Sequence, residues 1–366
     1  MINRIETTLA GKTVLVTGHT GFKGSWLTLW LQQLGAHVAG LALEPPTNPS
    51  MFELCRLADG IDHAIGDIRD YATVRDRVAA VRPDLVIHMA AQPIVRQSYI
   101  DPLETMGSNV MGTAHVLEAI REAGRPCAVV VISSDKCYDN RGWVWGYREN
   151  DPMGGHDPYS ASKGMTELVV SSWRDSFFGP ESGIRLASGR AGNVIGGGDW
   201  AADRIIPDCI RAFCEGGEVA LRNPRATRPW QHVLEPLAGY LLLASELLND
   251  NAAAYCSGWN FGPAAQDVRP VEDLVAMIAS HWGGSARWTK SEGPHPAEAA
   301  MLSLNCDKAI SQLRWRPTWT LERMIGHTAG WFQAWHEGKR DMREVSLEQI
   351  AAFSADARAL SEGAAA

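Results

Sequence analysis

No Cys-x-x-Cys pair occurs among the seven cysteines, at 55, 127, 137, 209, 214, 256 and 306, and an odd number cannot close a disulfide framework. Reduced thiols in a cytoplasmic setting are the expectation. A long hydrophobic run is also missing. Neither the opening MINRIETTLAGK nor any later stretch stays apolar for the roughly 20 residues that a bilayer requires, so export and membrane anchoring are not expected. Positive charge is scarce as well, with 34 Lys and Arg against 42 Asp and Glu and a formal net charge of -8. That balance opposes non-specific attraction to nucleic acid or an anionic membrane, yet leaves room for a local basic pocket. No His/Cys/Asp group has metal-ligand spacing, and HVLEP (232–236) is not HExxH, so no metal is expected. No internal repeat is visible.

At 366 residues the chain exceeds the size at which one core normally stops growing, and 45% hydrophobic with 21% charged residues describes an ordinary globular protein. The runs TVLVT (13–17), HVAGLAL (37–43), DLVIHMA (84–90) and CAVVVISS (127–134) predict strands buried on both faces, alternating with helical patterns over 22–34, 70–80 and 102–123. This is an α/β rhythm, that of a Rossmann-like, doubly wound parallel sheet. Beyond about residue 190, GNVIGGGDW and RNPRATRPW loosen it and predict a smaller C-terminal substrate lobe. The expected division is a dinucleotide-binding domain over 1–190 and a lobe over 191–353, partly interleaved with the sheet through helices at 233–249, 270–282 and 320–337. Residues 354–366 would be a frayed or disordered tail.

The first chemical motif is TGHTGFKGSW (17–26). A strand ends at Thr17 and a helix opens near Phe22. Gly18, Gly21 and Gly24 therefore stand where a dinucleotide pyrophosphate can approach backbone and a helix N-terminus. Glu44, about 20 residues on, is placed to bind a ribose hydroxyl. From Val38 to Cys55 there is no Arg or Lys to clamp the extra phosphate of NADP, which favours NAD. The spacing GxxGxxG resembles the short-chain dehydrogenase/reductase superfamily, whose extended branch reads TGxxGFxG. That resemblance implies cofactor contacts from Phe22, from Asp67 and Ile68 in GDIRD (66–70), and from Ala90 in HMAAQPIVRQSY.

In DPYSASK (157–163), a helix beginning at Asp157 or Pro158 puts Tyr159 and Lys163 at i and i+4 on one face. A cation beside the phenol lowers the pKa of a group that normally ionises near ~10. The motif follows VISSDKCYDN (131–140), where a buried strand delivers Ser133, Ser134, Asp135 and Lys136 to one place. By resemblance, Tyr159 takes the proton of a sugar hydroxyl, Ser134 hydrogen-bonds the same oxygen, Lys163 holds phenolate and ribose, and Asn109 in SNVMGT supports this helix.

Oxidation alone needs no further acid and base. Nucleotide-sugar 4,6-dehydratases of the extended branch follow the hydroxylic residue with an Asp–Glu pair, and here Lys136 replaces the glutamate. That SDK variant, with PPTNPSMFEL, RAGNVIGGGDWAADRIIPD and RPWQHVLEPLAGYL, resembles the CDP-glucose 4,6-dehydratase branch from about residue 8 to 338. The resemblance implies that Asp135 protonates the leaving C6 hydroxyl and Lys136 removes the C5 proton; Lys136 could equally pair with Asp135 or a phosphate. Gln92, expected as a substrate contact, and Arg96 stand where dTDP-glucose enzymes favour acids. Asn193, Arg204 and Arg228 match family phosphate or sugar contacts, and His232 could line the same pocket or be a packed residue. Arg222 and Arg225 fit a phosphate site or a solvated surface equally. Cys137 reads as packing, and Trp143 and Trp145 read as loop packing or a cover. Family members often dimerise through two helices, here 102–123 and 158–178, giving a homodimer or dimer of dimers. A nucleotide-sugar 4-epimerase, a dehydratase of another nucleotide sugar, and a non-enzymatic NAD or nucleotide-sugar binding protein are the alternatives.

Overall fold

The computed structural model describes residues 1–264, 267–283, 287–290 and 302–363. Four predicted apolar runs form β1 (Thr13–Thr17), β2 (His37–Ala42), β4 (Leu85–His88) and β5 (Cys127–Ile132), joined by β3 (Asp62–Ile65), β6 (Ile184–Ala191) and a strand at Gly258–Phe261. All pair in parallel as one seven-stranded sheet, in which Gly258–Phe261 is followed by β6, β5, β4, β1, β2 and β3. The direction of winding reverses beside β1, between β2 and β4. A crevice therefore opens at the carboxyl ends of β1 and β4, where Thr17 is in register with His88.

Alternation along the strands divides the core in two. Val14, Val16, Leu85, Ile87 and Val130 face Trp26, Trp30 and Trp331, while Leu15, Val86, Val129 and Val131 face Val116, Leu117, Ile120 and Val170. Gly24 lets the helix Phe22–Gln33 start directly on the β1 turn, because a Cβ there would lie 2.1 Å from the Gly18 carbonyl oxygen. Three small two-stranded pairs lie outside the sheet: Val194–Ile195 with Gln231–His232, Thr227–Pro229 with Val268–Pro270, and Glu218–Leu221 with Arg287–Lys290.

Several expectations are revised. The helix predicted over 102–123 is broken by a π-turn at Gly107–Met111, between Pro102–Met106 and Gly112–Ala123. β5 ends at Ile132, not at Ser134, because Ser134 caps a short turn over Asp135–Cys137. Residues 354–363 are not a frayed tail. They complete the helix Met342–Gly363, with Phe353 fully buried between Trp30 and Trp319 at ring-centroid distances of 5.7 and 5.2 Å. Asp356 accepts the Trp319 indole N–H at 2.8 Å, and Arg358 pairs with Glu6 of the helix Ile2–Leu9. Only residues 364–366 of the expected tail lie outside the described residues. No helix among the described residues is long and apolar enough to cross a membrane.

If the last helix belongs to the core, Phe353→Ala should cost about 3–5 kcal/mol, the range for a buried phenylalanine. Urea unfolding measures it, and a loss below about 1 kcal/mol would restore the description of this segment as a tail.

Candidate active site

Ser134 occupies the step from strand to turn. Its hydroxyl accepts the Lys136 N–H at 3.2 Å and donates to Asp135 Oδ1 at 2.9 Å. Asp135 is buried, and its Oδ2 lies against Gly192, where a Cβ would come within 3.0 Å. Lys136 is half-buried, and its ammonium makes no hydrogen bond or ion pair among the described residues. The alternative in which Lys136 pairs with Asp135 is thus not the arrangement adopted.

The helix Pro158–Ser176 starts as the sequence indicates. Asp157 caps it by accepting the Ser160 N–H at 2.9 Å, and Pro158 fills the first position, where its missing N–H costs nothing. Tyr159 and Lys163 are both buried, with the ammonium 6.0 Å from the phenol ring centre. Gly164 brings this helix onto the Asp135 turn, because a Cβ would lie 2.9 Å from Gly154 O and 3.2 Å from Cys137 O. Burial pushes the Tyr159 phenol up to about 12; the Ser134 hydroxyl and Arg204 pull it down, against Asp135 and Asp157. Burial pulls Lys163 down to about 8, opposed by Cys137 and Glu167. The same physics pulls Lys23, in the first turn of Phe22–Gln33, down to about 7, with Arg204 and Lys163 adding to the effect and Asp135 opposing it. Ser134, Asp135, Tyr159 and Lys163 therefore converge, and Arg204 and Lys23 act on the same space.

The glycine turn fits a dinucleotide. Gly18 has φ of +76°, and a Cβ there would lie 2.7 Å from Ala90 N, so the backbone is bare at the strand ends. No side chain caps the helix that begins at Phe22, so its first N–H groups are left for a ligand. The Gly21 N–H bonds the Gly18 carbonyl at 3.2 Å, and Phe22 touches Gly196 from the opposite loop. Asp67 is held below the usual carboxylate range by the Arg69 side chain at 2.5 Å, while the Ile68 side chain is buried against Gly112 and its carbonyl is bonded to His115 Nδ1 at 2.9 Å.

Asn109 clamps the loop after β4 to the helix Pro158–Ser176. Its Oδ1 accepts Gln92 N at 2.8 Å, and its Nδ2 donates to Gln92 O and to Ser162 Oγ at 3.1 and 2.8 Å. Of the proposed substrate contacts, Asn193 and Arg204 are on the loop facing Asp135, with Arg204 paired to Asp199 at 3.0 Å, which raises its pKa. Arg228 is half-buried and donates to Thr227 O at 3.0 Å. Two expectations are corrected. The buried Gln92 amide is taken up by protein groups, donating to Thr105 Oγ1 of the helix Pro102–Met106 at 2.8 Å and accepting Ile94 N at 2.5 Å. His232 is fully buried in the core between Trp26 and Trp319, and its Nδ1 accepts Leu234 N, so it does not line a cleft wall. Trp143 packs on Tyr147 at 5.2 Å, while Trp145 is largely exposed.

Sequence reasoning missed two supports. His88 bridges Thr17 and Thr113 at 2.7 and 3.0 Å, kept neutral by burial that lowers its pKa to about 3, and Thr17 Oγ1 in turn accepts Met89 N and Ala90 N. Glu167 pairs with Arg190 of β6 at 2.8 Å, both buried, and also accepts the Ser133 and Ser188 hydroxyls. Burial pushes Glu167 up, but Arg190 and these hydroxyls hold it below the usual carboxylate range. Glu167 lies four residues past Lys163 on the same helical face, a spacing that signals it.

The family model described as GDP-mannose 4,6 dehydratase matches residues 15–328. A CDP-glucose 4,6-dehydratase of Salmonella typhimurium is 53% identical over 94% of this chain and 96% of its own length. A dTDP-glucose 4,6-dehydratase of Xanthomonas campestris is 26% identical over 93% of this chain and 99% of its own. Among solved structures, an epimerase from Methanothermobacter thermautotrophicus superposes with a TM-score of 0.77 at 23% identity, covering 94% of this chain and 97% of the other. The dTDP-glucose 4,6-dehydratase from Streptomyces venezuelae with NAD and TYD bound gives 0.74 at 22% identity, covering 90% and 99%. These two superpositions establish the shared fold.

A stability cost of the buried cation is measurable. The folded pKa of Lys163, about 8, lies below its ordinary 10.5. The unfolded chain therefore binds the extra proton between those values, and this group makes stability rise with pH across that window. Lys163→Met should make the ligand-free protein about 2–4 kcal/mol more stable near pH ~6, the gain fading between about pH 8 and 10.5. Urea titrations at several pH values test this; a variant less stable at pH ~6 contradicts the cost assigned to Lys163.

Proposed function

The chain belongs to the nucleotide-sugar 4,6-dehydratase family, and from that premise we propose that it converts CDP-glucose to CDP-4-keto-6-deoxyglucose with NAD as its resident cofactor. The observation that carries the reading is the end of β5, where Asp135 and the unpartnered Lys136 directly follow Ser134. The 53% identity to a CDP-glucose enzyme supports the choice of nucleotide.

NAD, when bound, accepts the hydride from C4 of the sugar and returns it to C6. Tyr159 Oη takes the proton of the C4 hydroxyl, and Ser134 Oγ hydrogen-bonds the same oxygen. Lys163 stabilises the phenolate; burial raises the phenol's pKa to about 12 in the ligand-free protein, and the Ser134 hydroxyl and Arg204 oppose that rise. The new C4 ketone acidifies the C5 hydrogen, which Lys136 Nζ removes, while Asp135 gives a proton to the C6 hydroxyl as it departs as water. Hydride then adds at C6 and a proton at C5, so the net change is loss of one water. Asn109 positions the helix that carries Tyr159, and Arg204, Asn193 and Arg228 bind the nucleotide-sugar phosphates and sugar. A 4-epimerase shares the fold and would use Tyr159 and Lys163, but Asp135 and Lys136 would then have no task.

For assembly, we infer a homodimer through the helices that carry Leu103, Met111, Met165 and Leu168. Leu103 and Leu168 are 83% and 61% exposed, an apolar load suited to a second copy of the same face. Seven unpaired cysteines support a reducing, cytoplasmic setting. Leu168→Arg should shift the protein to monomer in sedimentation velocity; an unchanged sedimentation coefficient would move the interface elsewhere.

Mass spectrometry after incubation with CDP-, dTDP-, UDP- and GDP-glucose in deuterated water tests the reaction. CDP-glucose is expected to lose one water and gain solvent deuterium at C5, and Lys136→Met to accumulate bound NADH with product formation down at least ~100-fold. Normal dehydration by that variant removes Lys136 as the base, and dehydration of another nucleotide sugar overturns the CDP assignment.

A further inference from the structure

Lys23 stands where the reaction just described requires no cation. It is the second residue of Phe22–Gln33, in a first turn that already carries the positive end of the helix dipole and contains no acidic residue. The side chain is half-buried and forms no ion pair among the described residues. Its hydrogen bond runs to the Tyr240 hydroxyl at 3.5 Å, with the ammonium 5.5 Å from that ring's centre. Tyr240 is a rigid partner: it is fully buried, and its ring covers Gly189 of β6, where a Cβ would come within 2.7 Å. The charges that act on Lys23 are those of Arg204, Lys163 and Asp135.

Lys23 thus follows the glycine turn directly, its ammonium sits at the Tyr240 hydroxyl, and it is near enough to Lys163 and Asp135 for their charges to act on it. A dinucleotide whose pyrophosphate is held at the turn, and whose nicotinamide reaches Tyr159, has to pass this point. A cation kept here without an anion costs free energy unless a ligand interacts with it favourably. The nicotinamide ring carries a positive charge when oxidised and none when reduced, while the pyrophosphate charge is the same in both forms. A fixed cation beside the ring therefore disfavours the oxidised form.

We propose that Lys23 is a positioning residue for the nicotinamide half of the cofactor, and that its charge biases the bound cofactor toward the reduced form. The proposal rests on the NAD reading above. It bears on a step peculiar to dehydration, because the reducing equivalent has to be retained while water leaves C5 and C6. A bias toward NADH lengthens that retention and limits premature return of hydride to C4.

The test is equilibrium binding to cofactor-free protein, by calorimetric titration of NAD and NADH separately. Lys23→Met should raise the ratio Kd(NADH)/Kd(NAD) about tenfold over wild type, equivalent to about 30 mV for a two-electron couple. Lys23→Arg should return the ratio toward wild type. Lys23→Gln, which keeps a donor for Tyr240 but no charge, should behave like Lys23→Met and carries the measurement if the methionine variant does not fold. An unchanged ratio in the uncharged variants overturns the proposal, even if both affinities fall together as they would for a structural residue. Failure of wild type to bind either nucleotide overturns the cofactor assignment itself, a result distinct from a bound cofactor with an unchanged ratio.

Discussion

Arg190 carries its charge into the interior of β6, and the surroundings of the active site are arranged to satisfy it. Glu167 supplies the counter-charge, Tyr138 Oη accepts from Arg190 Nη1 at 2.7 Å, and Glu149 O accepts at 2.9 Å. Tyr138 passes the connection to Asn260 Oδ1 at 2.7 Å, and Asn260 Nδ2 reaches Tyr147 O and Asn305 O. One buried charge pair thereby joins the end of β5 through the following Ser133, the helix Pro158–Ser176 through Glu167, β6, the Gly258–Phe261 strand and the loop over 138–149. A hydrophobic replacement of a buried pair can be neutral or stabilising, whereas removal of one partner costs about 3–5 kcal/mol. What the pair contributes here is position. Glu167 is one helical turn from Lys163, and Ser133 is one residue from Ser134, so the pair holds the Lys163 helix and the Ser134 turn against each other.

The cleft itself has the opposite electrostatic character. Around Asp135 stand Lys23, Lys136, Lys163 and Arg204, of which Arg204 is paired with Asp199. Burial lowers the pKa of Lys23 and Lys163, so the ligand-free protein holds cations where water screens them poorly. A dinucleotide and a nucleotide diphosphate sugar both bring phosphates to such a surplus. The arrangement favours phosphate binding, and Arg204 within it, together with the Ser134 hydroxyl, opposes the upward push of burial on the Tyr159 phenol.

Much of this was legible before the fold was known, for reasons of range. The glycine turn, the Asp157 cap, and the i, i+4 relation of Tyr159 to Lys163 are set by residues a few positions apart, whose backbone and side-chain preferences need no distant partner. The continuous apolar strands signal burial on both faces by themselves. By contrast β6 reads IRLASGRA, and Ser188 and Arg190 disguise a central strand, because their burial is possible only with Glu167 supplied from another element. The terminal helix was equally hidden, since small and polar residues after Phe353 acquire packing value only against Trp30, Trp319 and Glu6.

Local chemistry therefore determined the parallel sheet, the dinucleotide turn and the identities of Ser134, Asp135, Lys136, Tyr159 and Lys163. Tertiary structure alone decided which side chains share a space. It placed His232 in the core, tied the Gln92 amide to Thr105 and Ile94, left Lys136 without a partner among the described residues and directed Lys23 toward Tyr240. The physical reason is that burial and long-range charge depend on which surfaces meet, and segments distant in the chain carry no local record of that meeting.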